Sequence, residues 1–170
     1  AHPAAYSPDT VWLAVLAYAG QIYYDFSGYT DMAIGAARMF GFEYPENFRH
    51  PYRSLSIAEF WQRWHITLSH WLRDYLFLPL AYAFSRRIAA DRPLGMRAET
   101  WAYAGAIVVT MFLGGLWHGA SWTFVAWGVL HGAALAVHRL VRDARGKRSQ
   151  GRYGTPGKVN SILGAAAQWT

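Results

Sequence analysis

The sequence has 170 residues, 54% of them hydrophobic, 17% aromatic and 15% charged, with a formal net charge of +6. Soluble domains carry about 25% charged residues, so a water-facing surface is under-supplied, and nine Trp and eleven Tyr favour a membrane–water interface. The absence of cysteine excludes disulfides and thiolate zinc sites. The excess basic charge sits between apolar segments, at Arg86, Arg87, Arg92 and Arg97 and again from Arg139 to Lys158. This reads as topology determinants rather than a groove for nucleic acid.

The chain opens on Ala1-His2-Pro3 without a signal peptide and stops at Trp169-Thr170 inside an apolar run, as expected of an internal piece of a larger protein. The first apolar stretch runs from about Val11 to Tyr24, and its pattern continues past Asp25 towards Phe42. Asp25, Asp31 and Arg38 lie within it, and ionisable groups at membrane depth face a protein interior or a wet cavity. A short interfacial helix followed by an amphipathic one is the plainer expectation. Gly41 to Tyr52 is a break with two prolines.

Ser56 reads as a helix N-cap, with Glu59 completing a capping box. A helix is then expected from Ile57 to Tyr75, carrying Arg63, His65, His70, Arg73 and Asp74, in the interface or inside a bundle. Pro79 should kink the apolar run Leu76–Phe84 or start a new helix. A basic linker covers residues 85–99. The clearest apolar segments are Trp101–Trp117 and Trp122–Val141, a helical hairpin over about 101–141 with its turn at Trp117-His118-Gly119-Ala120-Ser121. The first arm is roughly 25 Å long, a little short of a ~30 Å hydrocarbon core, so the turn could lie at depth among protein. Basic clusters at both outer ends of the hairpin point to the cytoplasmic side. Residues 143–158 read as a Gly/Arg/Lys linker, and 161–169 as the start of another apolar segment.

His118 is the most informative residue. Gly114, Gly115 and Gly119 allow close approach around it, and Trp117 and Trp122 flank it. Residue chemistry alone leaves two readings open, a hydrogen-bonded packing histidine or a group that moves protons near neutral pH. His65 and His70, five apart, do not share a helical face, which disfavours a metal pair. His131 and His138 share a face that has no carboxylate. No metal site is therefore expected. Ser27 has no evident paired base, and there is no P-loop, G-x-S-x-G or H-E-x-x-H.

Several blocks together resemble the membrane-bound O-acyltransferase family. They are Tyr24-Asp25-Phe26-Ser27-Gly28-Tyr29-Thr30-Asp31-Met32-Ala33-Ile34-Gly35, Pro45-Glu46-Asn47-Phe48, the run Phe60-Trp61-Gln62-Arg63-Trp64-His65-Ile66-Thr67-Leu68-Ser69, and Trp71-Leu72-Arg73-Asp74-Tyr75. Gly114-Gly115-Leu116-Trp117-His118-Gly119-Ala120-Ser121-Trp122 is similar to the family's active-site histidine segment. The blocks cover roughly residues 20–140 in family order, and the likeness is strongest to the bacterial branch of alginate O-acetyltransferases and the D-alanyl transfer protein of teichoic acids. After Leu78-Pro79-Leu80, alginate-type members often continue Gly-Gly-Asn-Arg, whereas this chain reads Ala81-Tyr82-Ala83-Phe84-Ser85-Arg86. The departure separates it from that subgroup at this point and leaves the family reading intact.

The resemblance implies an all-α, polytopic transmembrane helical bundle, of which residues 1–170 are an internal part of one membrane domain. It implies transfer of an acyl group, expected to be acetyl, from a cytoplasmic donor (acetyl-CoA or an acyl carrier) to hydroxyls of an extracytoplasmic polysaccharide such as alginate, with no bound cofactor. By the same resemblance His118 is the catalytic histidine and His65 matches a second polar position, Asn or His across the family. Trp64, Trp117, Trp122, Asp25 and Ser27 are the expected tunnel residues, and Arg73 and Asp74 a structural ion pair. The expected setting is multi-pass in a bacterial inner membrane, among membrane lipid, with an extracytoplasmic acyltransferase partner and no nucleic acid. A transporter would show repeated hydrophobic halves, and a non-catalytic scaffold of a polysaccharide export complex would tolerate any small residue at position 118.

Overall fold

The computed structural model describes residues 6–88 and 95–150, with side chains to residue 145. Every regular element among them is helical, and the chain divides into two compact units, Ala1–Arg49 and His50–Thr170.

The first unit is built on α1 (Pro8–Met39). Ser7 caps it by accepting from the Thr10 amide at 3.4 Å, with Pro8 in the first turn, where its missing N–H costs nothing. The expected division into two helices is not found: nothing between Val11 and Met39 breaks the ladder, and Asp25, Asp31 and Arg38 are exposed along one continuous helix. Gly41 ends it at φ 81°, with the Phe42 amide bonded to the Ala37 carbonyl and the Gly41 amide to Arg38. This is a Schellman stop, which favours glycine because the left-handed backbone is unstrained there. Phe48 then packs edge-on against Phe26 (5.2 Å) and Tyr23 (5.8 Å).

In the second unit a 3-10 turn (Pro51–Arg53) leads to α2 (Ile57–Arg63). Ser56 accepts from the Glu59 amide at 3.1 Å, but the Glu59 carboxylate reaches back to the Leu55 amide (2.8 Å), so the capping box closes one residue early. That carboxylate also holds Arg63 at 2.6 Å, and the Leu55 hydrogen bond is the main cause lowering its pKa.

The expected helix from Ile57 to Tyr75 is not continuous. Trp64 is extended, His65 is left-handed (φ 43°, ψ 57°), and α3 (Ile66–Leu72) starts afresh. The Ser69 hydroxyl donates to the Trp64 carbonyl across the break at 3.1 Å. A π-helical turn, Arg73–Phe77, follows and runs into α4 (Leu78–Arg87) with Pro79 in its first turn. The new helix expected at the proline is found: α4 starts at Leu78, one residue before Pro79. The wider turn, with the Leu78 amide bonded to Arg73, carries the helix past the missing N–H.

α5 (Ala98–His118) and α6 (Trp122–Gln150) form the hairpin. The linker expected from residue 143 is helical to Gln150, while the apolar segment expected at 161–169 lies outside the described residues. Both arms contain a segment long and apolar enough to cross a membrane, Ala98–His118 and Trp122–Arg145. At 21 residues α5 is about 32 Å long. It matches the ~30 Å hydrocarbon core, so length does not leave its end short of the far surface.

α5 is the central element of this unit. Ala106, Ile107 and Met111 join Trp61, Phe77, Tyr103 and Leu135 in the core. The two arms cross through glycine: a Cβ on Gly115 or Gly128 would overlap the partner helix's backbone, and one on Gly132 would lie 2.9 Å from the Val108 Cα. Small residues four apart let helix backbones touch. At the basic end, Asp143 of α6 accepts from the Thr100 hydroxyl (2.7 Å) and from Arg139 (2.9 Å), while Arg139 also lies 5.0 Å over the Tyr103 ring. His118 is at the opposite end of α5.

Candidate functional site

His118 closes α5 rather than lying within the turn, because helical backbone extends one residue beyond the apolar run. Its imidazole is set among rings: Trp117 at 5.0 Å, Trp127 at 5.2 Å (both near-perpendicular) and Phe124 stacked at 6.0 Å. Gly119 is needed next to it, since a Cβ there would come within 2.8 Å of the Phe124 ring.

Beside His118 opens a cavity of about 490 Å³. Its walls come from α2 (Trp61), α3 (Leu68, Trp71, Leu72), the π turn (Leu76), α5 (Met111, Leu113, Gly114, Trp117) and α6 (Trp127). His118 is the one ionisable residue in this lining. The discontinuous α2–α3 segment matters here. Had the helix run straight through Trp64 and His65, the faces carrying Trp61 and Leu68 would not keep this relation.

His65 does not line the cavity, but it is half-buried and close enough to His118 to feel its charge. Burial is the main cause, and repulsion from a charged His118 the second, that lowers its pKa to about 4. A strained left-handed backbone on a residue other than glycine is a common mark of functional positions. With its pKa held near 4, His65 is uncharged near neutral pH.

The expected tunnel residues divide. Trp117 lines the cavity and is 64% exposed. Trp122 is the first residue of α6, 86% exposed and absent from the cavity wall. Trp64 is also outside the wall, stacked on Phe60 at 5.5 Å because the extended backbone at the break turns it onto that ring. Asp25 and Ser27 belong to α1 in the first unit, where the Ser27 hydroxyl donates to the Tyr24 carbonyl at 3.4 Å. Arg73 and Asp74 do pair, at 2.8 Å, and this hydrogen bond lowers the Asp74 pKa. As sequence neighbours they tie no two turns together, so the pair does not fix the helix. Among the described residues no group of three or more His, Asp or Glu could hold a metal ion.

Trp61 and Trp127 were not among the expected site residues. Trp61 is 5% exposed and packs on Trp127 (5.7 Å) and His131 (5.4 Å), and Trp127 lies 4.7 Å from His131. The only local signal is the four-residue spacing of Trp127 and His131 on α6; nothing in the sequence links either to Trp61.

The sequence matches the model of the membrane-bound O-acyltransferase family over residues 6–91. The chain belongs to that family. It is 52% identical over 131 residues to a probable alginate O-acetylase of Azotobacter vinelandii, covering 77% of this chain and 24% of that protein. It is 44% identical over 136 residues to a peptidoglycan O-acetyltransferase of Helicobacter pylori, covering 80% and 23%. It is 32% identical over 122 residues to a teichoic acid D-alanyltransferase of Streptococcus thermophilus, covering 71% and 28%. The chain thus spans about a quarter of the length of the curated relatives it matches. The departure after Leu78-Pro79-Leu80 is a local one, given the 52% identity to an alginate-type relative.

Proposed function

We propose that the whole protein is an O-acyltransferase that moves an acetyl group onto hydroxyls of a polysaccharide outside a bacterial inner membrane, with His118 as general base. The observation that carries this is a largely apolar cavity with one ionisable residue, His118, in its wall. The relatives named as O-acetylases and O-acetyltransferases support the reaction class and the polymer acceptor.

In this reading the donor is a thioester, acetyl-CoA or an acetylated carrier. His118 takes the proton of the acceptor hydroxyl as its oxygen attacks the acetyl carbonyl. The new C–O bond forms, the C–S bond breaks, and the departing thiolate receives the proton held by the imidazolium. A neutral His65 beside His118 helps assemble the site. The apolar wall of Trp61, Leu72, Met111 and Trp127 keeps water from competing with the acceptor. Donor entry is from the side marked by Arg97, Arg139 and Arg142, and the acceptor meets His118 at the other end of α5. An extracytoplasmic acyltransferase partner is part of the same proposal, as the protein that works alongside this one on the polymer.

The test is to incubate membranes holding the full-length protein with acetyl-CoA labelled in the acetyl group. An enzyme transfers label to polysaccharide and releases free CoA. A transporter or a scaffold leaves the thioester intact, and that result would refute the proposal.

A further inference from the structure

A general base must point at its proton, and most catalytic histidines are held by a hydrogen bond on the second ring nitrogen. Among the described residues His118 has no such bond and no carboxylate partner. It is also the final residue of its helix, followed by glycine. Its orientation therefore comes from the three rings around it.

Those rings are not equivalent. Trp117 is 64% exposed and Phe124 borders on open surface. Trp127 is half-buried, and its indole is braced by Trp61 from α2 and His131 one turn further along α6. Trp61 and His131 also contact each other, closing a three-ring bracket. The His131 Nδ1 is sealed within that bracket with no hydrogen-bond partner, so the imidazole acts there by its shape. Gly128, next to Trp127, fixes the depth of α6 against the Met111 backbone.

We infer that Trp127 is a positioning residue for His118, transmitting the fixed geometry of the α2–α5–α6 bracket to the imidazole. Its ring meets the imidazole nearly at right angles at 5.2 Å, close enough to limit how the imidazole turns. The inference rests on His118 being the base.

The experiment compares Trp127→Leu, Trp127→Phe and His118→Ala in the purified full-length protein, with acetyl-CoA as donor and an alginate oligosaccharide as acceptor, following free CoA. Misplacing a reacting group by about 1 Å can cost 100-fold. Trp127→Leu should lower kcat roughly 10- to 100-fold with KM for acetyl-CoA within about threefold, a loss confined to the chemical step. Trp127→Phe, which keeps a ring, should recover to within about fivefold of wild type, showing that the fold tolerates change at this position. In the His118→Ala background, Trp127→Leu should lower the residual rate no further. A kcat within about threefold of wild type for Trp127→Leu, alongside an inactive His118→Ala, overturns the positioning role alone. So does a raised KM with kcat held, which makes Trp127 only a wall of the donor site. An active His118→Ala overturns the reading of the base itself.

Discussion

Gly128→Ala is the sharpest structural perturbation available. The added methyl would overlap the Met111 carbonyl oxygen and lie 3.1 Å from the Met111 carbonyl carbon and 3.2 Å from the Gly115 Cα. All three are backbone atoms of α5, so no side-chain rotation relieves the contact. The helices must separate by roughly 1 Å to restore van der Waals distance. Overpacking of this kind costs about 1–3 kcal/mol. It also carries Trp127 away from His118, and a shift of that size can cost 10- to 100-fold in rate. Thermal unfolding of the detergent-solubilised full-length protein and its acetyl transfer rate should both fall. Gly132→Ala, whose methyl meets Val108 Cα at 2.9 Å and the Met111 Cβ at 3.1 Å, should be milder. Met111→Ala should not rescue Gly128→Ala, because the obstruction is the carbonyl. Wild-type melting and activity in Gly128→Ala, or rescue by Met111→Ala, would refute this account of the crossing.

At the basic end, Asp143→Ala leaves Arg139 and the buried Thr100 hydroxyl without their shared acceptor and should destabilise by about 1–3 kcal/mol, read by the same melt. His65 gives a pH dependence. Its folded pKa of about 4 is below the ordinary histidine value of 6.5, so the unfolded chain binds more protons between those values. Its contribution is therefore complete above about pH 6.5 and is lost as pH falls towards 4. The melting temperature of His65→Asn should drop less than that of wild type between pH 7 and pH 4.5, and parallel pH curves would contradict the assignment. His131→Leu removes a sealed, unpartnered nitrogen. Replacing an orphaned polar group by an apolar one of similar size is neutral or stabilising, so this variant should melt no lower than wild type.

Much of the scaffold was legible in the residues. Long apolar runs gave α5 and α6, Ser56 gave the start of α2, and Gly41 the end of α1. The break at Trp64-His65 was not, since no glycine or proline marks it and the polar–apolar pattern continues through it. A left-handed histidine is selected by tertiary packing, which local sequence does not record. Pro79 marked the start of α4, but nothing in the sequence marked the π turn that precedes it. His118 was legible by resemblance, whereas its bracket was not. Trp61, Trp127 and His131 come from two helices about 65 residues apart in the chain, and only tertiary packing of α2 on α6 brings them together.

The central claim is that His118 takes the acceptor's proton. Full-length His118→Ala, assayed with labelled acetyl-CoA after its membrane insertion is verified, measures this most directly. General base catalysis contributes about 10²- to 10⁴-fold, so the account predicts a loss of at least 100-fold with insertion unchanged. Polysaccharide acetylation at the wild-type rate in that variant would contradict it.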